Sequence, residues 1–369
     1  MTEAKMTYAG VGVDYDAMDH FKRMAQFAAR ETAGNIRRFG FSEVEMSRGE
    51  SAYLIETPDS YIAHVEEGLG TKILVADAMY RFTGKLYYNQ VAQCTLAMIV
   101  NDMITLGALP LSVAMHFAVG DSNWFDNGKR YCDLIDGWKK ACIITRCNWG
   151  CGETATLRDI VVPGTAALSG SAVGIIKPKD QFINSENIKH GDAIIFIESS
   201  GIHANGLTMA REIAEKLPEG YLAKLPDGRT YGETLLDPTH IYVGLIEDCL
   251  NYGVNIHYAV NITGHGWRKL MRAKQSFAYI IERLPKQLPI FDFIQKHGPV
   301  DDLEAYANLN MGAGFALYVS ESDVEKILLI AQSLGFNAIN GGHIESSHEK
   351  KVIIKPKSLE YLGSTLGVR

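Results

Sequence analysis

The stretch AIIFIESSGIHANGLTMAREIAEKL occupies residues 193–217 and changes its hydrophobic pattern twice. AIIFIES is an apolar run typical of a buried strand, SGIHANG is typical of a turn, and LTMAREIAEKL has its apolar residues on one helical face. A strand, a glycine-containing turn and a helix therefore follow one another. The backbone amides at the start of such a helix can bind an anion, although capping by Ser200 or Asn205 would explain the same polar residues.

Strands and helices are predicted along the rest of the chain as well, but they do not alternate strictly. This order favours an α+β architecture over a doubly wound sheet. The polar, turn-rich segment IIKPKDQFINSENIKHGD (175–192) is a connector, so we predict two domains, at residues 1–177 and 178–369. The main predicted strands are SAYLIE (51–56), SYIAHVE (60–66) and LGALPLSVAMHFAVG (106–120), and the main predicted helices are 19–38, 89–106, 124–145, 238–252 and 321–334.

Bulk composition excludes several classes of protein. A chain of 369 residues exceeds what one hydrophobic core usually serves, which supports two domains. The formal net charge of -7 and the pI near 5.9 argue against broad nucleic-acid binding. The apolar stretch from Thr95 to Val119 is interrupted by Asn101 and Asp102, so it is not a membrane span. The N-terminal MTEAKMTYAG does not resemble a secretory signal, so we expect a cytoplasmic protein with reduced cysteines.

Three acidic motifs interrupt the apolar elements. EEGLGTK (66–72) follows a predicted strand, and its carboxylates and small residues suit a hard cation and phosphate oxygens, although the motif by itself is better explained by a charged hairpin. The pair Asn101-Asp102 lies in an apolar helix and needs polar partners, whether these are a ligand or another helix. GCGETA (150–155) places Glu153 and Thr154 in a predicted glycine-flanked turn suitable for magnesium.

Two further glycine turns carry polar side chains. They are NITGHG (261–266) and NLNMGAG (308–314), and a simple turn between strands would account for either of them. None of the glycine motifs matches the Walker pattern, and neither GVGVDYD nor GLGTK is a credible dinucleotide fingerprint. If ATP binds, it therefore binds in a different framework.

Taken in order, these motifs resemble those of the aminoimidazole ribonucleotide synthetase family, the phosphoribosylformylglycinamidine cyclo-ligases of purine synthesis. EEGLGTK is similar to the family's TDGVGTK, LAMIVNDMITLGALPL to LVAMCVNDLxxxGAEPL, and CGETA to GGETA. SSGIHANGLTMAR is similar to SSGxHSNGYSLVR, NITGHGW to HITGGGL, and LNMGAGFALYV to FNMGxGMxxxV. The resemblance runs from Tyr8 to about Val319, so it covers most of the chain.

The resemblance implies a two-domain α+β fold in which the N-terminal sheets of two subunits complete a barrel in a homodimer. It also implies a small-molecule nucleotide substrate, ATP and Mg²⁺. ATP would phosphorylate the amide oxygen of formylglycinamidine ribonucleotide, and an internal nitrogen would then close the imidazole ring. Such catalysis depends mainly on positioning and charge neutralisation, so no covalent nucleophile is expected.

The matching positions imply a set of site residues. Glu67, Asp102 and Glu153 would bind magnesium, and His203, Lys72 and Asp102 would take part in catalysis. His203 is expected to donate a hydrogen bond or transfer a proton, although a structural histidine explains the residue equally well. The residues implied to bind ATP or substrate are Gly68, Gly70, Thr71, Lys72, Asn101, Ser200, Gly201, Asn205, Thr263 and Gly264.

This chain departs from the family pattern at several ligand-facing positions. Cys94 stands where an acid is expected, and a neutral thiol is a poor magnesium ligand. The histidine of HITGGG is absent at Asn261 and a histidine occurs instead at His265, while ANLNMG lacks an arginine of RTFNMG. Two alternatives therefore stay open: a paralogous ATP-dependent phosphotransferase acting on another small acceptor, or a non-catalytic nucleotide-binding protein of the same fold.

Overall fold

The computed structural model describes residues 5–367, apart from the side chain of Asp16. Within that range the chain forms two separate sheets with helices packed against them, which confirms the predicted α+β class. The strands are β1 (Ser42–Glu43), β2 (Tyr53–Glu56), β3 (Tyr61–Gly68), β4 (Leu109–Val119), β5 (Asn148–Thr156), β6 (Ala166–Ile176), β7 (Ala193–Glu198), β8 (Ile256–Asn261), β9 (Phe277–Ile281), β10 (Ala313–Val319), β11 (Ala338–Ser346), β12 (Lys351–Ile354) and β13 (Leu359–Leu362). The α-helices are α1 (Tyr15–Arg30), α2 (Lys72–Thr83), α3 (Tyr88–Met103), α4 (Gly128–Thr145), α5 (Leu207–Lys216), α6 (Tyr231–Leu235), α7 (Val243–Asn251), α8 (Pro289–His297), α9 (Asp302–Asn308) and α10 (Val324–Ser333).

The first sheet has the strand order β1-β2-β3-β6-β4-β5. Its strands pair antiparallel except for β4 and β5, which are parallel. Helix α3 packs against β3, β6 and α4, and most of its side chains are buried because it is covered on more than one side. The last turn of α3 carries Asn101 and Asp102, so this polar pair lies at the edge of the first core.

The second sheet has the strand order β13-β12-β9-β11-β7-β10-β8. Every residue of the edge strand β8 and of its neighbour β10 is buried, and so is almost all of β7, so this side of the sheet is covered on both faces. Helix α5 follows β7 after the turn SGIHANG, as the sequence predicts. The last residue of β8, Asn261, and the residue before α7, Tyr242, hydrogen-bond to the end of α3 and join the two halves of the chain.

Most of the predicted elements are confirmed, and two predictions are wrong. The helix predicted at 19–38 ends at Arg30, and a 3₁₀ segment follows at Ala33–Phe39, because Gly34 and Asn35 are poor helix formers. GCGETA is not a turn but part of β5, where it is hydrogen-bonded along β4. Among the described residues, no helix combines the length and the apolar composition needed to cross a bilayer. The domain boundary at residue 177 stays a prediction.

Candidate functional site

A cavity of about 590 Å³ opens between the two halves of the chain, and we call it the first cavity. Its walls come from segments far apart in sequence: the N-terminal residues and α1, the β3–α2 turn, the end of α3, the turn before α5 and the turn after β8. The residues that form these walls and matter for its chemistry are Tyr8, Tyr15, Lys22, Glu50, Glu67, Gly68, Gly70, Thr71, Asp102, Asn205, Thr263, Gly264, His265, Lys269 and Arg272.

Two carboxylates form the acidic part of the first cavity. Glu67 lies near the end of β3, and Asp102 lies in the last turn of α3. Burial, together with the negative charge of Asp102, raises the pKa of Glu67 to about 7. The side chain of Asn261 donates a hydrogen bond to Asp102 Oδ1 at 2.7 Å, so a residue of the second sheet fixes a carboxylate of the first half.

Two cations face these carboxylates. Burial lowers the pKa of Lys269 to about 8, whereas the nearby Asp102 and Glu67 oppose that decrease. Lys269 Nζ also donates a hydrogen bond to Thr263 Oγ1. Arg272 lines the same cavity, and its guanidinium donates to Gly49 O and Ser51 Oγ, which fixes its position. The cavity therefore has fixed positive charge beside its acid pair, a combination suited to a polyphosphate and its cation.

The β3–α2 turn offers donors to an anion. Gly70 has a φ of 70°, a conformation that favours glycine, and Thr71 follows it immediately before α2. Thr71 Oγ1 is buried and has no hydrogen-bond partner among the described residues. Because a helix N-terminus carries partial positive charge, this turn and its orphan hydroxyl fit a phosphate group.

Lys72 and Asn101 lie outside the walls of the first cavity. Lys72 is fully buried, and its Nζ donates 2.8 Å hydrogen bonds to the backbone carbonyls of His203 and Asp237. The amide of Asn101 donates to His240 O and accepts from Tyr242 N. Both side chains therefore use their polar atoms to bind the first half of the chain to the second.

Only part of the turn SGIHANG reaches the first cavity. Asn205 lines it, whereas Ser200 Oγ donates to Pro238 O and Gly201 O accepts from Asn310. His203 has a φ of 60°, and its Nε2 accepts a hydrogen bond from Ser200 N at 3.1 Å. Burial lowers the pKa of His203 well below its usual value, so the ring is neutral and holds the turn in shape.

The turn after β8 closes the first cavity on another side. Thr263 and Gly264 both line it, as the resemblance implies. A Cβ on Gly264 would lie 2.7 Å from the phenol oxygen of Tyr15, so only glycine permits this approach. His265 stacks on Tyr15 at 4.0 Å between ring centroids, and its Nε2 lies 2.9 Å from Asp19 Oδ2. This contact attaches α1 to the cavity wall.

Glu153 and Cys94 do not lie on the walls of the first cavity. Glu153 is exposed on β5, so the three predicted magnesium ligands are not brought together within one chain. Cys94 is buried, and its Sγ accepts a hydrogen bond from Thr239 N at 3.2 Å. In this chain the thiol packs against the second half and does not line the first cavity, and its effect on magnesium binding stays a prediction.

Three charged residues in or beside the first cavity are not predicted from the sequence: Lys269, Arg272 and Asp19. The basic residues of WRKLMR directly follow the turn NITGHG, and that proximity was the available signal. The contact of Asp19 with His265 could not be predicted, because the two residues lie 246 positions apart in the sequence.

A magnesium ion fits the acid pair only together with other ligands. Within residues 5–367, no group of three or more His, Cys, Asp or Glu side chains forms a possible metal site. Mg²⁺ is usually bound by one or two protein carboxylates together with substrate phosphates and water. Glu67 and Asp102 suit that mode of binding.

Comparisons with known proteins agree with the motifs. Residues 49–176 match the family model "AIR synthase related protein, N-terminal domain", and residues 189–355 match the corresponding C-terminal domain. A protein of Methanococcus maripaludis (strain C6 / ATCC BAA-1332), named phosphoribosylformylglycinamidine cyclo-ligase, is 36% identical and covers 82% of this chain and 83% of its own length. A protein of Methanocaldococcus jannaschii with the same name is 35% identical over 93% of both chains.

A solved structure has the same fold. The structure described as AaThiL complexed with AMPPCP and TMP superposes with a TM-score of 0.57 and 14% identity, and the match covers 84% of this chain and 89% of that one. At this identity the likeness concerns the fold alone.

Proposed function

This chain belongs to the AIR synthase-related family, and we propose that it is an ATP-dependent phosphoribosylformylglycinamidine cyclo-ligase. The observation that carries the proposal is the 35% identity over 93% of both chains to a relative of that name. Such an enzyme converts formylglycinamidine ribonucleotide to aminoimidazole ribonucleotide in purine biosynthesis and forms a C–N bond. The first cavity supports this activity because it combines anion donors with an acid pair.

ATP supplies the phosphoryl group that converts the substrate's amide oxygen into a good leaving group. Thr71 Oγ1 and the N-terminal amides of α2 would bind the phosphates, with Gly68 and Gly70 allowing close approach. Glu67 and Asp102 would hold magnesium, and Asn261 keeps Asp102 in position through its hydrogen bond. Lys269 and Arg272 would offset the negative charge that accumulates during phosphoryl transfer.

The remaining predicted site residues divide into contacting and positioning groups. Asn205, Thr263 and Gly264 line the first cavity and would contact the nucleotide substrate. Lys72, Asn101, Ser200, Gly201 and His203 would act as positioning residues, because their polar atoms are already bound to protein groups. We therefore propose that His203 keeps the turn in shape and does not itself transfer a proton.

We propose that the protein is a homodimer in which the first sheets of two subunits complete a barrel. The open edge of β5 pairs only with β4 among the described strands, and most of its residues are exposed. Apolar Leu111 and Val173 in the same sheet are 50% and 43% exposed. In such a dimer the exposed Glu153 would lie at or near the subunit interface. The proposed boundary at residue 177 directly follows Ile176, the last residue of the first sheet.

The test is ring closure measured with ATP, magnesium and formylglycinamidine ribonucleotide. The wild-type protein is expected to form aminoimidazole ribonucleotide, whereas Asp102→Asn should lose at least a hundredfold in turnover while staying folded. The matched control is Asp159→Asn, an exposed aspartate outside the first cavity. ATP hydrolysis without ring closure would favour the paralogous phosphotransferase, and nucleotide binding without turnover would favour the non-catalytic alternative.

A further inference from the structure

A second cavity, of about 680 Å³, lies outside the proposed active site. It shares no lining residue with the first cavity. Its walls come from both halves of the chain: one face of α2, the start of α4 and the loop 162–165 belong to the first half, and α5 with Tyr221 to the second. A ligand bound here would therefore contact both halves at once.

The second cavity is lined by two carboxylates, Asp77 and Glu215, and by three arginines, which make its net charge positive. The arginines are Arg81 on α2, Arg130 on α4 and Arg211 on α5. Arg130 lies 3.8 Å from Asp77, whereas neither Arg81 nor Arg211 has a carboxylate within 4 Å anywhere in residues 5–367. Arg81 and Arg211 therefore have no carboxylate as an ion-pair partner, and such guanidinium groups suit a phosphate, which they bind with two parallel hydrogen bonds.

Two buried polar atoms of residues that line the second cavity make no hydrogen bond within the described part of the chain. Among the described residues, neither Arg130 Nε nor Asp77 Oδ2 has a hydrogen-bond partner. Asp77 Oδ1 accepts from the phenol of Tyr88, so its carboxylate is held in one orientation. A ligand that carries both an acceptor and a donor beside its phosphate would satisfy these two protein atoms.

The remaining wall suits an aromatic body. Tyr80 and Tyr221 line the second cavity together with Leu74, Val162 and Pro163. Its volume lies within the range of small-molecule sites, which is about 300–1,000 Å³. Phosphate-binding arginines, an unused donor and acceptor, and aromatic and aliphatic walls together describe a nucleotide more closely than a simple anion.

We propose that this second cavity binds a nucleoside monophosphate at a site distinct from the active site. Helix α2 connects the two sites. Thr71, which directly precedes this helix, lines the first cavity, whereas Asp77 and Arg81 within the helix line the second. Because the ligand contacts both halves of the chain, its binding should stabilise their arrangement around the active site.

The experiment titrates the full-length protein with AMP, inorganic phosphate and adenosine by calorimetry. AMP should bind more tightly than either of the other two, and Arg211→Ala or Arg81→Ala should weaken AMP binding about tenfold or more. Arg37→Ala, an exposed arginine outside both cavities, is the matched control, and Thr71→Val tests the first cavity. Arg37→Ala should not alter AMP affinity, and Thr71→Val should leave the AMP binding that depends on Arg81 and Arg211 unchanged.

Three outcomes of this titration would each overturn the proposal. AMP binding that is weakened by Thr71→Val but not by the arginine changes would place the nucleotide in the first cavity. AMP binding no tighter than that of inorganic phosphate would remove the nucleotide assignment, and so would a wild-type protein that binds no AMP. Arg81→Lys keeps the charge and should retain part of the affinity, which separates loss of the phosphate contact from loss of folding.

Discussion

The shifted pKa of Glu67 predicts a pH-dependent stability that one substitution should remove. Burial raises this pKa from 4.5 to about 7, so between these values the folded protein binds a proton that the unfolded chain has released. The stability that Glu67 contributes is complete below pH 4.5 and is lost as the pH rises through 7. The difference between the two pKa values corresponds to about 3 kcal/mol in the free energy of unfolding. Screening by solvent in the cavity reduces this to about 2 kcal/mol.

Glu67→Gln keeps the size of the side chain and removes its titration. At pH 8, without nucleotide or metal, the variant should be about 2 kcal/mol more stable to urea than the wild-type protein, while at pH 4.5 the two should be equal. Glu66→Gln is the matched control, because Glu66 precedes Glu67 on the same strand but is exposed. A stability difference that is the same at both pH values, or one equally large for Glu66→Gln, would refute the reasoning. The more stable Glu67→Gln variant should nevertheless lose magnesium-dependent turnover.

Three further predictions concern residues outside the walls of the first cavity. Lys72→Met should lower the free energy of unfolding in urea by about 2–4 kcal/mol, because two buried carbonyls lose their hydrogen-bond donor. Lys85→Met, at an exposed lysine, should change it almost not at all, and equal effects would contradict the role of Lys72 as a link between the two halves. Cys94→Asp should lower the melting temperature without tightening magnesium binding, because the new carboxylate would be buried against Thr239. Tighter magnesium binding in calorimetry would show that position 94 reaches the metal. His203→Asn should lower stability while leaving the pH profile of turnover unchanged, since the buried ring is already neutral, and a changed profile would instead indicate proton transfer by His203.

Local patterns were sufficient to predict much of the fold. Helix α3 and strands β2 and β3 follow from apolar periodicity, which depends only on neighbouring residues. The glycine motifs identified the β3–α2 turn and the turn after β8, because glycine is needed where the backbone turns sharply or another group approaches closely. The prediction failed at GCGETA, where pairing with β4 outweighs the turn preference of the glycines.

The site was predicted only in part, because several of its contacts join residues that are far apart in the sequence. Asp102 was identified as a polar group in an apolar helix, but its partner Asn261 lies 159 residues away and nothing local connects the two. Lys72 follows the same glycine turn as Thr71, yet its side chain enters the contact between the halves instead of the first cavity. Lys269 was missed because its position opposite Glu67 results from the packing of the two halves.

The sequence by itself determined the α+β class, the motifs shared with the family and the residue types available for binding phosphate and magnesium. These features depend on local periodicity, backbone geometry and side-chain chemistry, all of which are encoded by neighbouring residues. Only the tertiary structure decided which of those residues face the first cavity and which hold the two halves together. Adjacent side chains leave a helix or turn in different directions, and their partners come from distant parts of the chain that meet only after folding.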